Sequence, residues 1–186
     1  MAKSSSALPG FNAPSVGFEQ PFAMLEACHE RVQRTLALLQ RLRAHVQEHG
    51  ADVSAQQAAR DVLRYFDIAA PLHHEDEELH VFPLLLAQAA PDVVALVRRL
   101  QHDHRCMATD WAAARLALQA LVEGRQAGFS EADGAAFERF IGRYDRHIAD
   151  EETLAYPAAQ ALLAAPALEA MGREMAARRR VPASGH

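Results

Sequence analysis

Two copies of one cassette restrict this chain more than any other feature it carries. The first reads His73-x-x-x-Glu77-Glu78-x-x-Val81-Phe82-Pro83, and the second His147-x-x-x-Glu151-Glu152-x-x-Ala155-Tyr156-Pro157. The two histidines are 74 residues apart, and His29 and His104, 75 apart, each stand upstream of one copy. Residues four apart on an α-helix stack on one face, so each His–Glu pair offers a neutral nitrogen and an anionic oxygen in the same direction. One helical hairpin, duplicated, accounts for both offsets. The first helix then corresponds to the third and the second to the fourth.

The rest of the chain agrees with helices. Half of the residues are hydrophobic, aromatics are few, and long stretches lack glycine, a balance that favours helix over sheet. A first helix is expected from Pro21 to about His49, with Leu25, His29, Val32, Leu36, Leu39 and Val46 on its inner stripe and Gly50 as its stop. Ser54-x-x-Gln57 reads as a capping box for the second helix. Its inner face would be Val62, Phe66, Ala69, His73, Glu77, Val81 and Leu84, with bends at Pro71 and Pro83. Pro91 and Asp92 open the third, striped by Leu96, Leu100, His104, Met107, Trp111 and Leu118. Ser130 caps the fourth, whose inner face carries Phe137, Phe140, Tyr144, His147, Glu151 and Leu154. The expected fold is all-α: an up-down-up-down four-helix bundle over residues 21–165, built from the duplicated hairpin. A flexible segment (1–20) precedes it, and a short helix (about 167–179) with a disordered tail completes residues 166–186.

In such a bundle His29, His73, Glu77, His104, His147 and Glu151 reach similar depths, at about 1.5 Å of rise per residue. Two carboxylates on a core face need positive charge beside them. A mixed imidazole–carboxylate set suits first-row metal ions, iron above all. Four imidazoles, two bridging carboxylates and one bridging oxygen would leave about two positions of a six-coordinate ion pair open to water or a small ligand. A single His-x-x-x-Glu is commonly a surface ion pair; the recurrence of the cassette with its aromatic-proline ending argues for a site. His74 and Glu78 form a second pair four apart, but the repeat has Ile148 opposite Glu152, so His74 is read as a supporting or surface residue. His45, His49 and His80 read as solvated, and His102 faces the Arg98–Arg99 side. Tyr144 either packs in the core or donates to the site, and Met107 and Trp111 line the pocket.

Other classes are disfavoured. A net charge of −5 argues against a nucleic-acid partner, and no apolar run is long enough for a membrane span. Cys28 and Cys106, the two cysteines, read as buried thiols and not as a disulfide or redox pair. Arg178-Arg179-Arg180 reads as a solvated tail. Residues 1–20 have no signal-peptide pattern, and a cytoplasmic location is the default.

With these residues in view, the sequence resembles the hemerythrin-like, or HHE cation-binding, family over roughly residues 20–165. His29, the two cassettes and His104 carry the likeness, together with Cys28-His29-Glu30-Arg31 and Pro9-Gly10-Phe11, which look like stand-alone bacterial members. The resemblance implies a di-iron centre without haem, oxo- or hydroxo-bridged when oxidised, held by the six residues. It also implies a small ligand or oxidant such as dioxygen, nitric oxide or peroxide, and a role as a sensor or stress-response protein. Oxygen carriers of the family are similar but use five histidines with two carboxylates, one imidazole more than the four clear candidates here. Its repair proteins resemble this chain in the bundle but carry an additional cysteine-bearing N-terminal domain. The alternative is iron buffering or sensing through a protein partner, without catalysis.

Overall fold

The computed structural model describes residues 16–179. Pro9-Gly10-Phe11, Arg180 and the outer parts of the expected terminal segments lie outside the described residues. Every element among the described residues is helical, with no strand, as the composition and periodicity require. Helix α1 spans Pro21–His49 and ends at Gly50, whose φ of 76° suits a residue without a side chain. A second helical run comprises α2 (Val53–Arg64), α3 (Ala70–Asp76) and α4 (Phe82–Gln88). Helix α5 spans Pro91–Val122. A fourth run comprises α6 (Glu131–Ile141), α7 (Tyr144–Asp150) and α8 (Tyr156–Leu162), and α9 covers Ala165–Arg178. Asp52, not the Ser54–Gln57 pair, caps α2: its carboxylate accepts the Ala55 N–H at 2.7 Å. Ser130 caps α6 in a reciprocal box with Asp133.

Single π-helical turns, Tyr65–Ala69, Glu77–Val81 and Glu151–Ala155, join α2 to α3, α3 to α4 and α7 to α8, while a two-residue turn at Gly142 and Arg143 joins α6 to α7. Each π turn ends two residues before a proline: Pro71, Pro83 or Pro157. A proline inside an α-helix removes one N–H, and its ring crowds the carbonyl four residues back. Here the residue before it instead bonds five residues back, Ala70 to Tyr65, Phe82 to Glu77, and Tyr156 to Glu151. The wider turn takes up the mismatch that had been expected to bend the helix. It also moves the inner face by one residue. Ala70 is buried instead of Ala69, and Leu85 instead of Leu84. In the fourth run Ala155 and Tyr156 are buried while Leu154 is 50% exposed.

The core forms two apolar clusters with a polar layer between them. One holds Val32–Val46 positions of α1, Ala55–Ala70 positions of the second run, Met107–Leu121 positions of α5 and Phe137–Ile148 positions of the fourth. The other holds Phe22–Cys28, Val81–Leu85, Val97–Leu100 and Ala155–Ala159 positions, closed by Met171 and Met175 of α9. Along the chain each run passes from one cluster to the other through a buried histidine: His29, His73, His104 or His147. No described helix is long and apolar enough to cross a membrane.

Helix α9 does more than the solvated tail expected of its arginines. Arg178 and Arg179 each place a guanidinium nitrogen 2.6 Å from Asp76, which is wholly buried. Arg179 also lies over the Phe18 ring. The arginine pair neutralises an acid next to the polar layer, and so ties α9 to the second run.

Candidate metal centre

The six side chains singled out by the cassettes meet in the polar layer, each at most 7% exposed. His29, His73, Glu77 and Glu151 bring donor atoms within 4.8 Å of one another, and so do His104, His147 and Glu151. Glu151 belongs to both groups. Its Oε2 lies 3.2 Å from His29 Nε2, and its Oε1 lies 3.0 Å from His147 Nε2. Glu77 also faces both ways, with Oε1 3.5 Å from His73 Nε2 and Oε2 3.4 Å from His104 Nε2. The His104 and His147 Nε2 atoms are 3.1 Å apart.

Protons alone satisfy this arrangement poorly. Both oxygens of Glu151, Oε2 of Glu77 and Nδ1 of His73 and His147 are buried without a hydrogen-bond partner. Yet the Nε2 atoms of His29 and His147 lie close to Glu151. For His29, and likewise for His104, the outer nitrogen explains which way the ring is protonated. His29 Nδ1 is 2.9 Å from Glu152 Oε1, and His104 Nδ1 is 3.0 Å from Glu78 Oε1. An ionised carboxylate only accepts, so Nδ1 carries the proton and a neutral ring turns a bare lone pair inward from Nε2. Lone pairs of nitrogen and carboxylate oxygen then converge, which is the donor chemistry of a metal site. The residues present fit a bound cation.

Proton affinities point the same way. Burial, reinforced by the charge of Glu151, pushes Glu77 well above the usual carboxylate range. Burial also pushes Glu151 up, but its contacts with His147 and His29 outweigh this and hold it well below that range. Burial, with the neighbouring His29, holds His73 well below the usual histidine range. For His29 burial is outweighed by Glu151 and Glu152, which raise it. Without another cation, a proton shared among these groups supplies the positive charge.

Several residues of the centre went unassigned in the sequence. Glu78 and Glu152 each reach the lone histidine of the opposite hairpin. Their signal was the Glu-Glu doublet, repeated in both cassettes. Gln101 braces Glu78 at 2.7 Å. Tyr156 stacks on His29, with ring centroids 5.6 Å apart, and donates its hydroxyl to Glu77 Oε1. Phe82, its counterpart, stacks on His104 at 5.4 Å. His74 is half-buried, its ring stacked 4.0 Å from that of His104, and it belongs to neither donor group.

Of the other expectations some hold and some change. Tyr144 packs with Phe66 and Phe140 in the apolar core and belongs to neither donor group. Met107 is in the same cluster, and Trp111 packs on Phe66 and Phe140 while its indole N–H bonds Asp67. Neither is part of a donor group, because the apolar layer separates from the polar one. Cys28 is buried, but Cys106 is only partly so, near His102. His80 is not solvated: it is 14% exposed beside Arg178 and Glu174. His45 is partly buried and pairs with Asp52, whereas His49 is exposed.

Comparison with known proteins agrees with this geometry. The sequence profile of the Hemerythrin HHE cation binding domain matches residues 20–159. The chain is also 38% identical, over 165 residues, to an uncharacterized protein of Haemophilus influenzae, covering 88% of this chain and 92% of that relative.

Proposed function

Starting from the fact that this chain belongs to the hemerythrin HHE cation-binding domain family, we propose that it is a di-iron protein without haem that binds or reacts with a small ligand. Dioxygen, nitric oxide and peroxide are the candidates, and sensing or stress response is the role that follows. The observation that carries the reading is the pair of donor groups joined at Glu151. One group would hold each ion, and Glu77 and Glu151 would bridge them. Bound iron would supply Lewis acidity and one-electron redox chemistry. The chain's own residues supply the rest. Four imidazoles orient neutral nitrogens, two carboxylates balance charge, and the two apolar clusters keep water from the layer. The alternation of those clusters along the chain supports an up-down-up-down four-helix bundle. A cytoplasmic location, without a nucleic-acid or membrane partner, fits the composition.

Protein of measured metal content, titrated from anaerobic to aerobic conditions, tests this. Two irons per chain and an oxidant-dependent near-ultraviolet absorption are expected. Two irons with no spectral response to oxygen or nitric oxide would refute the reactive part. The burial of the whole donor set favours a second reading, iron buffering or sensing through a protein partner, since metal binding then couples to folding. A large iron-dependent gain in stability with no oxidant consumption would select it.

A further inference from the structure

A second cluster of ligating side chains lies far from the polar layer, where α1 gives way to α2. His45 and His49 are four residues apart at the end of α1, so both project from one face. Gly50, at a φ of 76°, turns the chain sharply, and the Asp52 N–H bonds back to the Gly50 carbonyl at 3.1 Å. The turn brings the Asp52 carboxylate up to that face. Its Oδ2 lies 2.9 Å from His45 Nε2, while its Oδ1 caps α2. The His49 ring stands edge-on to that of His45, with centroids 4.7 Å apart. At about 1.5 Å of rise per residue, His45 is roughly 24 Å along α1 from His29, so the cluster shares no donor with the buried layer.

We infer that His45, His49 and Asp52 form a peripheral site for one divalent cation of the zinc class. Two histidines at this spacing on one helix face suit a single zinc ion, and a carboxylate with water completes a four-coordinate set. Ligand atoms around such an ion lie about 3.3 Å apart, close to the 2.9 Å already set between His45 and Asp52. A carboxylate only accepts, so the ion takes the place of the proton that His45 Nε2 gives to Asp52, and the ring carries that proton at Nδ1 instead. His49 is exposed, and rotation of its side chain brings a nitrogen to the same point without moving a core residue. Two further features favour a cation here. The Ala55 N–H and His45 hold the Asp52 carboxyl below the usual range, and the C-terminal end of a 29-residue helix carries partial negative charge. Imidazoles select this class of ion over calcium or magnesium, which take oxygen ligands. The bound ion ties α1 to α2 across the turn, whatever the buried layer holds.

Zinc is the probe, added to full-length protein already loaded with iron and counted by equilibrium dialysis. Wild type is expected to take up one zinc per chain beyond its iron, and its melting temperature should rise as zinc is added. His45→Ala and His49→Ala should each bind that zinc about tenfold or more weakly, since loss of even an outer partner of a metal ligand costs that much. Asp52→Asn keeps a side-chain oxygen to cap α2, so it should weaken zinc binding while its zinc-free melting temperature stays near that of wild type. Equal zinc affinity in wild type and in the His45→Ala, His49→Ala double variant overturns the inference. Wild type that takes up no zinc beyond its iron, or takes it up only by displacing iron, overturns it too. If the double variant does not fold, the exposed His49→Ala decides alone, and unchanged affinity there is fatal. Failure of wild type to load iron would defeat the proposed function but not this site. The same comparison then runs on iron-free protein, where zinc uptake unaltered by His49→Ala overturns the inference and loss of one zinc supports it.

Discussion

Removal of Glu78 or Glu152 should weaken metal binding at different positions, although neither is among the six donors. Each accepts the Nδ1 proton of a histidine from the other hairpin, at 3.0 Å for Glu78–His104 and 2.9 Å for Glu152–His29. Such outer carboxylates fix the tautomer and raise the basicity of the inward nitrogen, and their loss lowers metal affinity roughly 10- to 100-fold, or about 1.4 to 2.7 kcal/mol. The structure ranks the two. Both carboxylates are partly exposed, 39% for Glu152 and 35% for Glu78, so water can take over the Nδ1 proton when either is removed, and in Glu152→Ala the loss should be near tenfold. Glu78 is also held by Gln101. Glu78→Ala frees both partners at once and should approach the upper end. Glu78→Gln keeps an accepting oxygen and should recover part of the loss. Anaerobic competition against a chromophoric ferrous chelator, read as iron retained per chain, measures this in two steps. Each variant should shift one step and leave the other in place. Two variants that shift neither step by more than about twofold, or that both shift the same one, would refute the crossed pairing.

The shared carboxylate predicts that Glu151→Ala loses most of both irons, and Glu77→Ala nearly as much, by elemental analysis. His73→Ala should empty the first position, while His74→Ala keeps near-full iron content; equal losses would mean that His74 is a ligand. Replacing Arg178 and Arg179 together by Ala leaves Asp76 buried and unpaired, which should lower stability by about 3 to 5 kcal/mol, measured by denaturant unfolding. In iron-free protein Glu77, raised in the folded state, retains a proton that the unfolded chain releases above pH 4.5, so this group costs stability as pH rises from there. The histidines act in both directions around 6.5: His29, raised, costs stability as pH rises past that value, whereas His73, His74 and His80, lowered, add stability up to it. Glu77→Gln removes the carboxyl's contribution alone, so its melting temperature relative to wild type should climb as pH rises above 4.5. A difference independent of pH would contradict the assignment.

The meeting of the six side chains in one layer was legible because helical geometry converts a four-residue spacing directly into a shared face. His29 and His104 were legible as polar interruptions of apolar stripes. The crossed partners were not, since a contact between Glu152 and His29 spans 123 residues and leaves no local periodicity. The inner-face errors at Ala69, Leu84 and Leu154 share one cause. An α-helical count was carried through Pro71, Pro83 and Pro157, where the chain inserts a residue into the turn. Proline signalled the disturbance but not its form, because a bend and a π turn relieve the same clash. The arginines of α9 were misread because their partner, Asp76, is hidden among acids that look like a solvated run.

That run is the most compact logic in the molecule. Both cassettes contain Asp-Glu-Glu, at residues 76–78 and 150–152. Consecutive helical residues point roughly 100° apart, so three adjacent acids cannot share a task. The aspartate turns toward arginine, Asp76 to Arg178 and Arg179 and Asp150 to Arg99. The first glutamate turns into the polar layer. The second turns to the neighbouring hairpin and holds its histidine. A one-residue slip would deliver each acid to the wrong partner, and in both copies the π turn begins at the first glutamate. The extra residue therefore enters only after the aspartate is placed, and it carries the following aromatic ring, Phe82 or Tyr156, onto the histidine that the second glutamate orients. The same local irregularity that relieves the proline thus sets the ring that packs on that histidine.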